Sequence, residues 1–159
     1  MQKVHILAAG KLGGGWISEG CARYQKMISA FCNLSVTEIA EHRLPNDPSP
    51  AQIEKALKKE AEDFRKKLPA RHLSIALCVE GEPFSSQQLA GLLDNAGVRG
   101  LGVAFIIGSS HGLNQALKSQ ADYRLTFSAM TFPHQLMRVM LLEQIYRCCH
   151  ILNGGKYHK

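Results

Sequence analysis

Two hydrophobic periods alternate along the chain. Residues 4–9, 73–79 and 102–107 are short, mostly apolar runs, residues 34–39 can form a further strand, and residues 123–127 alternate apolar with polar, the period-2 pattern of a strand. Between them apolar positions recur every three or four residues, which predicts helices. The first helix carries Ile17, Cys21, Tyr24, Met27, Ile28 and Phe31 on one stripe, the second Ile53, Ala56, Leu57, Ala61 and Phe64, and the third Leu89, Leu92 and Leu93. A short helix is expected over 114–121 and a long one over 135–152. Ser49-Pro50-Ala51-Gln52 starts the second helix with a Ser cap, a Pro in the first turn and a Gln that closes a capping box. Ser85-Ser86-Gln87-Gln88 opens the third, Asn95-Ala96-Gly97 ends it, and Glu80-Gly81-Glu82-Pro83 reads as the turn that closes the third strand. Strand and helix alternate throughout, and the later strands are apolar on both faces. The pattern predicts an α/β fold, a mostly parallel sheet flanked by helices, in a single domain spanning 1–159.

The last helix departs from ordinary amphipathicity. Leu136, Val139, Met140, Leu141, Leu142, Ile145, Tyr146, Cys149 and Leu152 occupy most of its circumference, so it must be covered on more than one side. The sheet covers one side. In 159 residues little remains for the other, which makes a second copy of the chain the expected cover, a homodimer.

Composition narrows the class. Hydrophobic residues make up 45% and charged residues 20%, so a packed core is expected rather than disorder. No apolar run approaches the ~18 residues of a membrane helix, and the first residues lack a signal-peptide layout. A cytoplasmic protein without a membrane partner is expected. The five cysteines are odd in number and show no CxxC spacing, which suits a reducing compartment and argues against a thiol redox protein. The formal net charge of +6 favours a polyanionic partner, and RNA is the commonest. The second helix mixes Lys55, Lys58, Lys59, Arg65, Lys66 and Lys67 with Glu54, Glu60, Glu62 and Asp63. That is the pattern of a solvated face, with only its basic end offered to RNA.

In such sheets ligands bind beyond the carboxyl ends of the strands. Three loops lie there, at 77–81, 108–112 and 127–134. Gly81, Gly108 and Gly112 let backbone approach a flat ligand, and none of the loops carries a Gly-Lys-Ser/Thr phosphate anchor. A nucleoside-like ligand held by backbone and apolar walls is therefore expected. Gly13-Gly14-Gly15 after the first strand lacks both Gly-x-Gly-x-x-Gly order and a phosphate-loop ending, and reads as a flexible connection. His111, His134 and His158 show no metal-ligand spacing. Cys148-Cys149-His150 point in different directions on a helix, so no metal is expected.

Phe105-Ile106-Ile107-Gly108-Ser109-Ser110-His111-Gly112-Leu113 resembles the Gly-rich signature of the family of large-subunit ribosomal RNA methyltransferases of the H type, in the SPOUT superfamily. Residues 127–136, Phe-Ser-Ala-Met-Thr-Phe-Pro-His-Gln-Leu, with Arg138-Val139 and Glu143-Gln144-Ile145-Tyr146-Arg147, resemble its second signature. Gly20-Cys21-x-x-Tyr24 and the closing Tyr157-His158-Lys159 extend the likeness over essentially the whole chain. The resemblance implies a SPOUT α/β-knot with a C-terminal trefoil knot, a homodimer, S-adenosyl-L-methionine as methyl donor, and methylation at N3 of a pseudouridine in 23S rRNA. The RNA would be presented within the large subunit or the whole ribosome. Carried over by position, Leu77, Gly108, Phe127, Ser128, Ala129, Met130, Thr131 and Phe132 would hold the cofactor. His134 and Arg138, with Tyr157 and His158 reaching in from the second copy, would form the catalytic, RNA-facing half. Three positions depart from the family pattern: Ser109 replaces a second glycine, and Cys78 and Glu82 replace an Asp and a Lys. A rival reading, which the Ser109 and Cys78 departures favour, is an α/β-knot module that binds RNA or a nucleotide without chemistry.

Overall fold

The computed structural model describes residues 1–159. Five strands, β1 (Lys3–Ala9), β2 (Asn33–Ile39), β3 (His72–Pro83), β4 (Gly102–Ile107) and β5 (Tyr123–Thr126), alternate with five helices, α1 (Trp16–Ile28), α2 (Pro50–Lys67), α3 (Ser86–Val98), α4 (Gln115–Gln120) and α5 (His134–Leu152). The strands form one sheet in the order β2-β1-β4-β3-β5, and every pair in it is parallel. The capping box predicted at Ser49–Gln52 forms, and Ser85, expected only to open a helix, forms a second one with Gln88. No helix is long and apolar enough to cross a membrane.

The strands' period of two sorts the core onto two faces. Val4, Ile6 and Ala8 of β1, with Val103, Phe105 and Ile107 of β4, pack under α1, α3 and α5. Leu7, Ala9 and Ile106 point the other way, onto Phe64 of α2 and Leu117 of α4. Every residue of β4 is buried, which is why its sequence is apolar without alternation.

One boundary differs from expectation. The 80–83 segment is not a closing turn: residues after Leu77 bulge outward, and β3 resumes with Glu82 and Pro83 paired to Leu125 and Thr126. Gly81 allows this, since a Cβ there would stand 2.6 Å from the Leu125 carbonyl carbon. The polar sequence of the bulge concealed a strand that continues only because another backbone closes on it.

α5 is covered more completely by its own chain than its sequence suggested. It lies on the sheet between α1 and α3, and no residue from 134 to 151 is exposed. Its first turns are fastened to the end of β1 by Arg138, which is 3% exposed. The guanidinium donates to Glu38 Oε1 at 2.7 Å, to the Ala9 carbonyl at 3.2 Å, and to the Gly10 carbonyl. Glu38 also accepts the Leu12 N–H at 2.8 Å. Burial alone would raise the Glu38 carboxyl, but the Arg138 and Leu12 donors outweigh it and hold the group below its ordinary range.

Because Glu38 has a lower pKa folded than unfolded, its pairing stabilises the fold in full above the ordinary Glu range and is lost as pH falls through the folded value. Glu38→Ala leaves a buried guanidinium with only its two carbonyl acceptors; because Glu38 is itself 37% exposed, the expected cost at pH 7 is discounted to about 1–2 kcal/mol. In urea titrations the gap between variant and wild type narrows toward pH 3; a constant gap would show that the charge pairing is not its source.

Candidate functional site

The loops after β3 and β4 part company at the carboxyl edge of the sheet. β3 leads to α3 on one face, and β4 leads to α4 on the other. Such a divergence opens a crevice between neighbouring strand ends. Segment 127–133 then crosses from β5, at the sheet edge, to α5, whose first turn sits over the end of β1. The three loops enclose a cavity of about 630 Å³, within the range of small-molecule sites.

Its walls come from all three loops. Leu77, Ile107, Leu113, Leu125, Phe127 and Met137 supply apolar surface, and Gly108 to Gly112 supply backbone. A Cβ on Gly108 would lie 2.4 Å from the Gly112 carbonyl oxygen, so the loop folds on itself only with glycine there. Gly112 has φ +82°, the left-handed conformation that glycine takes without strain. The third loop braces itself: Thr126 Oγ1 donates to the Ser128 carbonyl at 2.7 Å, and Ser128 Oγ accepts the Met130 N–H at 3.0 Å. These local bonds hold the crossing segment in shape although it belongs to neither helix nor strand.

Of the residues singled out from sequence, Leu77, Gly108, Phe127, Ser128, Met130, Thr131, Phe132 and His134 line the cavity. Ala129 is exposed and forms no part of the wall. Arg138 does not reach it either. Its guanidinium is occupied by Glu38 and two carbonyls beneath α5, so in this chain it fastens the helix and presents no charge to a ligand. Two cavity residues carry no sequence motif. Lys118 of α4 pairs with Glu80 of the β3 bulge at the rim, and this ion pair holds the Glu80 carboxyl below its ordinary range. The cavity therefore does contain a lysine, but one already neutralised. Cys78 also lines it, and burial followed by the Glu80 charge pushes its thiol up, away from the thiolate. Cys21, Cys32, Cys148 and Cys149 are buried in the core.

Tyr157 and His158 lie elsewhere, on the outer face of α5. Tyr157 Oη donates to Glu143 Oε1 at 3.1 Å, its ring sits 4.7 Å from the Arg147 guanidinium carbon, and the Tyr146 ring lies 4.9 Å away edge-on. Arg147 Nε donates to the same Glu143 oxygen at 3.1 Å. Burial, and then hydrogen bonding with Tyr24 and Glu143, pushes the Tyr157 phenol up. His158 Nε2 is 2.7 Å from Gln87 Nε2 of α3, while its Nδ1 is buried without a partner. His150 is enclosed by Phe31, Tyr146 and Tyr157 with neither ring nitrogen bonded. Beside this cluster a second, apolar hollow of about 500 Å³ is lined by Tyr24, Phe84, Leu89, Val139, Met140 and Glu143. Leu125 and Phe127 wall both hollows, so only that strand end separates them. Glu143, on a largely apolar helix, reads from sequence as a structural partner for an arginine, and it pairs with Arg147; Gln87 gave no signal.

Comparison with known proteins agrees with this architecture. A family model described as "Predicted SPOUT methyltransferase" matches residues 2–158. The chain is 40% identical over 158 residues to the "Ribosomal RNA large subunit methyltransferase H" of Streptococcus equi subsp. zooepidemicus, covering 99% of each chain. It is likewise 40% identical over 158 residues to the protein of that name from Carboxydothermus hydrogenoformans, again covering 99% of each. A solved structure, a probable methyltransferase from Bordetella pertussis Tohama I, superposes with a TM-score of 0.59 at 17% identity, covering 93% of this chain and 95% of that one. At that identity it speaks for the fold alone.

The cavity's dependence on glycine is open to direct test. Gly108→Ala is expected to cost roughly 1–3 kcal/mol through overpacking against Gly112. Gly14→Ala, with nothing within 4 Å of the added methyl, is expected to change stability by less than about 0.5 kcal/mol. Thermal melts of the pair check this; equal midpoints would mean the loop relaxes freely around an added methyl.

Proposed function

The chain belongs to the SPOUT methyltransferase family, and we propose that it methylates the 23S ribosomal RNA of the large subunit at N3 of a pseudouridine, with S-adenosyl-L-methionine as donor, as a homodimer. The single observation that carries this reading is the convergence of three strand-end loops on one apolar, glycine-floored cavity. The residues fit an adenosyl group. The 108–112 loop, folded tightly on itself because Gly108 has no Cβ, lines the cavity with backbone, and Leu77, Phe127 and Phe132 supply apolar walls. The one lysine on the wall is neutralised by Glu80, so the site has no free cation for a triphosphate and none to repel a sulfonium.

When bound, S-adenosyl-L-methionine supplies an electrophilic methyl group for transfer to a ring nitrogen. The protein's share is largely positioning, which for well-oriented groups is equivalent to about 7–11 kcal/mol of barrier. The acceptor N3–H must also lose its proton. His158 is the residue assigned to take it; its Nδ1 is buried in the single chain, so the ring must turn outward to meet the base. Tyr157 is assigned to orient the base: its raised pKa keeps the phenol protonated, and its ring offers a stacking face. Acid–base assistance of this kind is typically worth about 10²–10⁴-fold. Lys156 and Lys159 are exposed and available to phosphates.

Tyr157 and His158 line neither hollow; Tyr157 sits on Glu143 at the edge of the second one, so in this reading one chain does not complete the site. The two-fold arrangement proposed sets the α5 faces of two copies against one another across the Tyr24–Val139–Met140 hollow, and each copy's Tyr157 and His158 then serve the other's cavity. The rival reading, RNA or nucleotide binding without chemistry, rests on Ser109 and Cys78 alone, and both side chains are accommodated on the cavity wall.

Calorimetry with S-adenosylhomocysteine is expected to give saturable binding; none at millimolar ligand sinks the cofactor assignment. His158→Ala is expected to abolish methylation of the large subunit with cofactor binding nearly unchanged, and retained methylation would remove His158 from the reaction. Val139→Asp places a charge in the apolar hollow beside Gly20 and is expected to yield monomers or insoluble protein. A soluble dimer of this variant by sedimentation would refute the interface.

A further inference from the structure

Glu60 is the one acidic residue that the core encloses. It lies on the inner side of α2 and is 3% exposed, although its neighbours Lys59 and Glu62 belong to the solvated face. Burying a carboxyl costs several kcal/mol unless its oxygens are bonded, so its position calls for an explanation that the fold alone does not supply. Oε1 accepts the His42 N–H at 3.1 Å. Oε2 is buried with no hydrogen-bond partner. What it faces is a small hollow of about 200 Å³ whose opposite wall is Ser109, Ser110 and His111, the outer side of the loop that floors the main cavity. Ser109 is itself 7% exposed. Burial pushes the Glu60 carboxyl up, and the His42 N–H and Ser109 hydroxyl oppose that shift.

We propose that Glu60 is a positioning residue for the cofactor loop: its second oxygen, beside the Ser109 hydroxyl, ties residues 108–112 to α2 and holds the loop in place for an adenosyl ligand. The tie has a physical purpose. The loop contains two glycines, one at φ +82°, and such backbone has much conformational entropy to lose when it closes on a ligand. α2 is an eighteen-residue helix capped at its start and packed on the sheet through Phe64, so a bond from it fixes the loop from behind. The same carboxyl holds His42, and thereby joins the loop after β2 to the loop after β4. Glu60 does not touch the ligand in this scheme; it acts through Ser109. The Ser109 hydroxyl already acts on the Glu60 carboxyl in the ligand-free chain, so the tie is in place before a ligand arrives.

This inference rests on the cavity being an adenosyl site, and the test separates the two. Calorimetric Kd values for S-adenosylhomocysteine are measured for the wild type, Glu60→Ala, Ser109→Ala, the double variant and Glu60→Gln, together with ligand-free thermal midpoints. Each alanine variant is expected to weaken binding about tenfold, the typical worth of one hydrogen bond to a charged group. The double variant is expected to be no weaker than about twofold beyond the worse single, because both changes remove one contact. Glu60→Gln retains an acceptor for His42 and an amide that can donate to Ser109 Oγ, and is expected to bind within about threefold of wild type. An unchanged Kd in Glu60→Ala, or losses that multiply to about a hundredfold in the double variant, overturns the proposal. Should Glu60→Ala fail to fold, Ser109→Ala and Glu60→Gln decide it: Ser109→Ala must lose affinity, and must do so equally in the Gln background, or the proposal is overturned. A wild-type chain that does not bind the ligand overturns the adenosyl reading itself.

Discussion

Everything about the site follows from the divergence of two adjacent strands. β3 and β4 are hydrogen-bonded along their length, yet the chain leaves β3 for one face of the sheet and leaves β4 for the other. No side chain can fill the gap this opens, because the loops on either side are moving apart. The fold closes it partially with the crossing segment 127–133, and what remains is the 630 Å³ cavity. Glycine is required where these segments touch: Gly81 where the β3 bulge meets β5, Gly108 where its loop meets itself. Sites of close backbone approach and the binding cavity coincide because both are products of chains converging on one sheet edge.

The crossing segment must end where α5 begins, and α5 must begin over β1. Arg138 secures that placement. A buried guanidinium is costly to desolvate, and here the cost is offset by one carboxylate and two main-chain carbonyls at the end of β1. Ordinary apolar packing would let the helix slide along the sheet with little penalty. A charge that finds its acceptors at one register only does not allow this. Glu38, exposed on one side, links the same contact to the Gly-rich turn through the Leu12 amide.

Most of the fold was legible in the sequence because it is written in periodicities that local physics obeys. The Ser49 capping box and all five parallel strands occur where hydrophobic patterning and cap residues put them. What was illegible depends on partners distant in sequence. The β3 extension over Glu82 and Pro83 exists only because β5 lies beside it. Arg138, which family resemblance set beside the RNA, is held by residues about a hundred or more positions away. Lys118 and Glu80 meet at the cavity rim from a six-residue helix and a bulge, neither of which announces a site. Glu60 was missed for a different reason: helical spacing puts it on the apolar stripe, three residues after Leu57 and four before Phe64, but its charge grouped it with the solvated face.

In the proposed dimer, segment 153–159 would be ordered before it meets a substrate. Left free, seven residues would lose on the order of 1–2 kcal/mol each on being ordered by a substrate. Much of that loss is already met within the chain. Glu143 accepts from both Tyr157 and Arg147, the Tyr146 and His150 rings flank the phenol, and Gln87 holds His158. The tail is therefore presented as a shaped surface while standing apart from its own chain's cavity, with one strand end between them. In the proposed dimer the same α5 face that orders the tail would also carry the subunit contact. Assembly would then bring an organised acceptor half to an organised cofactor half, and neither half would have to be built at the moment of binding.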